Sequence, residues 1–262
     1  SWWKNRHGFE MEGDWLMFIT GVIPALATAI RALTNPGDNI VVMSPVYNHF
    51  YHSIRDNGRF VSESELFCRD GVYGIDWEEL EAKLAAPRAT MMLLCNPQNP
   101  TGNLWNTEEL CRIAELCEKH HVTVFSDEIH CDVVTPGKAY TPFLSVSDTA
   151  KKTGLASVAP TKCFNIAGLG TAAVIACDEG IREKVKAEMA SCEVGMPNVF
   201  AVQAAVAAFT EGGAWLDEMN AYVAGNKKLV MEYAAKHIPG LRVIASDATY
   251  LIWLDLAELN MD

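Results

Sequence analysis

The chain has little positive charge, and its cysteines form no paired motif. Lysine and arginine number 21 against 33 acidic residues, a formal net charge of −12. That sign opposes phosphate backbones and argues against nucleic-acid partners. A small anion held by local backbone dipoles remains compatible with it. None of the eight cysteines lies in a Cys-x-x-Cys pair, so a zinc knuckle or dithiol redox motif is not expected. There is no secretory leader pattern, and the longest apolar stretches are interrupted, so no membrane span is expected. Thiols scattered through apolar runs fit a cytoplasmic protein with reduced cysteines. His49 and His52 are three apart, and His120, His121 and His130 lie near Asp127 and Glu128, yet no His-Glu-x-x-His pattern occurs and no metal is expected. Gly168-Leu169-Gly170 lacks the third glycine of a dinucleotide loop, and there is no Gly-x-Ser-x-Gly elbow.

What is present is a core. Half of the 262 residues are hydrophobic, enough for one large domain or a domain plus part of another. Strand-like runs fall at 40–43, 60–67, 89–95, 122–125, 155–158, 171–176, 241–244 and 250–254. Helical stretches alternate with them. Pro24 suits a first helical position before 25–34, Asp76 caps a helix through Leu84, and Asn106 or Thr107 caps another. In the latter, Leu110, Ile113, Ala114 and Cys117 form one stripe. Residues 181–189, 199–209 and 215–237 also read as helical. The alternation predicts an α/β fold with a mostly parallel mixed sheet sandwiched by helices. Such sheets bind ligands beyond the carboxyl ends of their strands. The ends read as cut: the chain opens on Ser1-Trp2-Trp3 and stops six residues after the run 250–256.

Five segments fall where such a site is expected, each after a strand-like run or opening a helix. Lys162 suits bonding to an aldehyde and shuttling a proton, although a lysine in isolation is more often a solvated loop residue. Asp127 suits a pyridine nitrogen; alone it reads as a cap or turn residue. Asn99, within Asn96-Pro97-Gln98-Asn99-Pro100-Thr101-Gly102, offers an amide to a phenolic oxygen, although Asn-Pro also favours turns. Tyr47 offers a ring face or a core contact. Gly21-Val22-Ile23-Pro24 opens a helix whose free amides suit a phosphate, with Thr161 adding a hydroxyl and Ser44 a weaker candidate. The set matches the phosphate, ring face, phenolic oxygen, ring nitrogen and aldehyde of pyridoxal phosphate.

These segments resemble aminotransferase fold type I, the aspartate aminotransferase superfamily. Ser126-Asp127-Glu128-Ile129-His130 and Lys162-Cys163-Phe164-Asn165 resemble its cystathionine β-lyase and cystalysin subgroup of C–S β-lyases. The resemblance covers nearly the whole chain. It implies a pyridoxal phosphate enzyme in which Lys162 is the Schiff-base lysine, Asp127 faces the ring nitrogen, and Asn99 binds the phenolic oxygen with His130 near it. Tyr47 then stacks on the ring, while Val22 and Ile23 give backbone N–H groups to the phosphate. Ala159 and Gly170 stand where aspartate aminotransferases carry a hydroxyl and an arginine for phosphate, which leaves more of that anion to Thr161 and the helix amides. The implied division is a large cofactor domain over 1–213, lacking its N-terminal segment. Residues 214–262 would supply an interdomain helix and the start of a smaller α+β domain. The arginine for the substrate carboxylate would lie beyond the chain. The expected reaction is cleavage of cystathionine or a related cysteine thioether to a thiol, pyruvate and ammonia, in a homodimer. An aminotransferase using the same groups is the alternative, and a non-catalytic cofactor-binding or interaction protein is a second.

Overall fold

The structure, a computed structural model, describes residues 1–259. Ten strands, nine α-helices and four short 3-10 turns occur among them. The strands are β1 (Leu16–Ile19), β2 (Asn39–Ser44), β3 (Phe60–Arg69), β4 (Val72–Ile75), β5 (Ala89–Cys95), β6 (Thr123–Asp127), β7 (Gly154–Val158), β8 (Ala172–Ile175), β9 (Arg242–Ile244) and β10 (Trp253–Asp255). The helices are α1 (Trp2–His7), α2 (Val22–Leu33), α3 (Asn48–Asp56), α4 (Trp77–Leu84), α5 (Thr107–Lys119), α6 (Asp148–Thr153), α7 (Glu179–Ser191), α8 (Ala201–Glu211) and α9 (Gly213–His237).

Eight strands form one sheet in the order β1-β8-β7-β6-β5-β2-β3-β4. The central run from β7 to β3 is parallel, while β8 runs antiparallel to β7 and to β1, and β4 antiparallel to β3. Both faces are covered, which is why the central strands read as unbroken apolar runs. Ile40 and Val42 of β2 pack with Ala25, Leu26, Phe50 and Val185 on the α2, α3 and α7 side. Val41 and Met43, one residue out of phase, pack with Leu80, Leu110, Ile113 and Ala114 on the α4 and α5 side. The period of two along each strand thus divides the core into two layers. A separate two-stranded sheet pairs β9 with β10 after the long helix α9.

Most predicted runs become elements. Asn106 is the residue that caps α5: its side chain accepts from Glu109 N, and Glu109 reaches back to Asn106 N, both at 2.9 Å. The four stripe residues of α5 are all buried. Two expectations need correction. Pro24 is the third residue of α2, because the helix begins at Val22 after the N-cap Gly21; a proline is tolerated there since first-turn amides lack intrahelical partners. The run at 250–254 becomes a strand only from Trp253, since Tyr250 and Leu251 are held out of the ladder by the turn before them. Strands β1 and β4 and helices α1, α3 and α6 were not singled out by pattern; they are short or have mixed apolar spacing.

Removing the α5 cap by Asn106→Ala should lower stability by about 1 kcal/mol, read as a lower urea midpoint with an unchanged slope. An unmoved midpoint would show that the box contributes nothing.

Candidate active site

The parallel register brings the singled-out residues together. Cys95, Asp127 and Ser157 sit opposite one another at the ends of β5, β6 and β7, with neighbouring strands roughly 4.8 Å apart. Asn99 lies four residues beyond Cys95 and Lys162 five beyond Ser157. Tyr47 follows β2, the next strand across. Strand β1 delivers α2 to the same edge. A cleft of about 380 Å³ opens there, and Val22, Ile23, Tyr47, Asn99, Asp127, His130 and Lys162 all line it. Thr161 is buried and lines an adjoining cavity that shares Lys162 and Tyr250 with the cleft.

Local structure holds each group in place. Asp127 is the last residue of β6, so the strand itself aims the carboxylate; it is 4% exposed and accepts from Ile129 N at 3.1 Å. The Asn99 loop is tied back at both ends. Gln98 Nε2 donates to Pro45 O at 2.8 Å and Met43 O at 3.2 Å, locking this loop to the one bearing Tyr47. Asn99 N donates to the Cys95 thiol at 3.3 Å. Lys162 is anchored by the two residues after it in the chain. Cys163 and Phe164 are buried with Leu216 of α9, and Phe164 packs on Trp2, Phe209 and Trp215.

Electrostatics distinguish two adjacent acids. Glu128 is buried away from the cleft and accepts from Ser126 Oγ (2.9 Å), Phe143 N (2.9 Å), Asn96 Nδ2 (3.3 Å) and the Tyr140 hydroxyl. Burial raises its pKa, and these donors pull it back. Asp127 has one backbone donor. Burial pushes its carboxyl up to about 7; the Ile129 N–H lowers it, Glu128 raises it, and Lys162 lowers it again. A buried carboxylate so poorly supplied with donors suits a cationic partner, such as a protonated pyridine nitrogen. Burial, with Lys162 nearby, drives His130 down to about 4, so its ring is neutral near pH 7, and its buried Nδ1 has no partner. At the other end of the cleft, Gly21 gives α2 no side-chain cap. The Val22 and Ile23 amides are therefore left for an anion. An under-compensated acid, an unpartnered histidine ring nitrogen and free helix amides all fit pyridoxal phosphate.

Ile129, Tyr250 and Leu251 also line the cleft and were not predicted. The Tyr250 ring packs edge-on against His130 with centroids 5.5 Å apart. In the sequence Tyr250 opens an apolar run, which signals a strand rather than a lining residue. Its placement depends on Thr249, which is 1% exposed and has φ +61°. That left-handed conformation at a β-branched residue costs on the order of 1–3 kcal/mol.

One further polar group lies outside the cleft. Asp132 accepts from Trp2 Nε1 at 3.0 Å and pairs with His7 Nε2 at 2.9 Å, beside Cys131. The carboxylate is satisfied by these partners and fastens α1 to the loop after β6.

Known proteins are similar to this chain in sequence and fold. The sequence profile of aminotransferase class I and II matches residues 1–262. The cystathionine beta-lyase PatB of Bacillus subtilis is 43% identical over 261 residues, covering 100% of this chain and 67% of PatB. Protein MalY of Escherichia coli is 33% identical, with 100% and 66% covered. Cystalysin from Treponema denticola, whose crystal structure contains a pyridoxal 5'-phosphate cofactor, superposes with a TM-score of 0.96 at 33% identity, with 100% and 66% covered. The chain thus spans about two thirds of the length of these relatives. The chain belongs to the aminotransferase class I and II family, and its eight-stranded mixed sheet flanked by helices matches the large domain of pyridoxal phosphate fold type I.

Proposed function

We propose that the protein to which this chain belongs is a pyridoxal phosphate-dependent C–S β-lyase that cleaves cystathionine or a related cysteine thioether to a thiol, pyruvate and ammonia. The observation that carries this reading is the convergence of Lys162, Asp127, Asn99 and Tyr47 on one cleft at the ends of four neighbouring strands. The 43% identity to a cystathionine beta-lyase supports the reaction type.

Bound pyridoxal phosphate would supply a carbonyl carbon for Lys162 and then for the substrate amine, and a protonated ring that draws electron density from the substrate α-carbon. Lys162 Nζ, once displaced, is the base that takes the α-proton. Asp127 keeps a proton on the ring nitrogen. Asn99 would donate to the phenolic oxygen, Tyr47 would cover one ring face, and the Val22 and Ile23 amides would hold the phosphate, with neutral His130 beside the ring and the Thr161 hydroxyl as a further phosphate candidate from the adjoining cavity. The β-carbon–sulfur bond then breaks, and the thiolate leaves with the electron pair. Water completes the balance, converting the remaining three-carbon fragment to pyruvate and ammonia. An aminotransferase would use the same groups; keto acid consumption with formation of a new amino acid marks that outcome.

The domain division follows the same reading, with residues 1–213 as the cofactor domain and 214–262 as an interdomain helix and the start of a smaller domain. All eight cysteines are free, which supports a reducing, cytoplasmic setting. No helix among the described residues is long and apolar enough to cross a membrane. The run of exposed apolar residues Met196, Val199, Phe200, Val202 and Val206 along one stretch of chain supports a homodimer.

Borohydride reduction after loading should leave a pyridoxyl group on Lys162 by peptide mass spectrometry. Lys162→Ala should lose the label and the pyruvate signal together; pyruvate released at the parent rate would refute the mechanism. Asp127→Asn tests the ring-nitrogen role and has a stability signature. The folded carboxyl keeps its proton to about pH 7 rather than the ordinary 3.8, so the folded state binds more protons between those values. Stability therefore falls as pH rises through that window. The cofactor-free Asn variant should be about 1–3 kcal/mol more stable than the parent at pH 8, with the gain vanishing near pH 4, while its lyase rate collapses. Equal urea midpoints at pH 8 would contradict the assignment. In sedimentation, Phe200→Asp should shift the complete protein towards monomer; an unchanged dimer would move the interface elsewhere.

A further inference from the structure

Lys227, in the middle of α9, is largely buried, at 9% exposure. Its ammonium donates to Ser246 Oγ and to Ala248 O, both at 2.9 Å. Neither acceptor is charged. The nearest acid, Asp247, pairs instead with Lys138 at 3.1 Å, and Lys228 pairs with Glu232 on the outer face of α9. A lysine placed against two neutral oxygens is an expensive way to fill space, and burial lowers its pKa to about 8.

Those two oxygens belong to a short plug, 246–249, wedged between three other parts of the molecule. Asp247 N and Ala248 N donate to Gly102 O at 3.1 and 3.0 Å, on the loop that carries Asn99. Thr249 N donates to Val133 O at 2.8 Å, and Thr135 N donates to Asp247 O at 2.8 Å, on the loop that follows His130. The fit at Gly102 leaves no room for a side chain: a Cβ there would lie 2.4 Å from Ser246 Cβ and 2.7 Å from Ala248 O, and its φ is +75°. The plug ends in the left-handed Thr249, and the next two residues, Tyr250 and Leu251, line the cleft. A conformation as costly as that of Thr249 persists only where its surroundings over-determine it.

We propose that Lys227 is a positioning residue: by clamping Ser246 and Ala248 from α9 it holds the 246–249 plug against the Asn99–Gly102 and Val133–Thr135 loops, and so places Tyr250 over His130 at the wall of the cofactor cleft. The inference rests on the reading of the cleft given above. It reaches the site through a residue that touches neither cofactor nor substrate.

The test uses Lys227→Met, which keeps the length and apolar stem of the side chain and removes the donors, with Lys228→Met as the control on the same turn. In the cofactor-free protein, amide exchange at Asp247, Ala248 and Thr249 should accelerate about tenfold in Lys227→Met and stay at the parent rate in Lys228→Met. The His130 ring, losing its Tyr250 cover, should titrate higher than in the parent, towards an ordinary histidine, when followed by proton NMR. A merely structural lysine would lower global stability without moving His130. If Lys227→Met does not fold, Ser246→Ala removes one of the two acceptors and should move both readouts in the same direction by a smaller amount. Parent-like exchange over 246–249 or an unmoved His130 in the folded variant would overturn the proposal. Both readouts precede cofactor loading, so that result stays separate from a failure to label Lys162, which would overturn the reading of the cleft.

Discussion

Burial of both faces of the sheet constrains everything else in this structure. The central strands carry apolar residues at nearly every position, because α2, α3 and α7 cover one side and α4 and α5 the other. Polar chemistry has no place along such strands. It collects where the strands end, and parallel pairing sends several ends to one edge. Asp127 shows the consequence most directly. As the final residue of β6 it is still inside the core by burial, yet it opens onto the cleft.

Asp127 and Glu128 are neighbours in the chain with opposite fates. Alternation along the strand turns one side chain towards the cleft and the other into the protein. Glu128 meets donors from four residues, and its carboxyl group binds the 140–143 loop to the end of β6. Asp127 meets one donor and remains under-compensated. A site poised for a cation is made by what the surroundings withhold as much as by what they supply. The cost is borne by the fold, as is common where function and stability compete.

The cleft is also assembled from distant parts of the chain that have no pairing in the sheet. The Asn99 loop is held by Gln98 from one side and by the 246–249 plug from the other. The Lys162 loop is held by an aromatic cluster drawn from α1, α8 and α9. Helices that contribute no lining side chain to the cleft therefore determine where its residues stand.

Much of this was legible in the sequence, for identifiable reasons. A strand buried on both faces is a continuous apolar run, so β2, β5, β6 and β7 announced themselves. The cap and stripe of α5 depend on side chains within one turn of each other, and local spacing encodes them. The order of Tyr47, Asn99, Asp127 and Lys162 after successive strands carried the site, because a loop that follows a parallel strand opens at the shared edge. Other features depend on contacts far apart in the chain, which no local pattern records. Tyr250 lies beside His130, 120 positions away, only because Thr249 takes a left-handed turn that Val133, Gly102 and Lys227 support. Lys162 lines both the cleft and the adjoining cavity, while its neighbour Thr161 lines only the latter, since the direction of a loop side chain is set by its packing. The sequence by itself determined the fold class and the chemistry gathered at one sheet edge, because both follow from residue type and order along single strands. Which groups face the cleft, and how far burial shifts Asp127 and His130, were decided only by the tertiary structure, because desolvation and side-chain direction are properties of the packed neighbourhood.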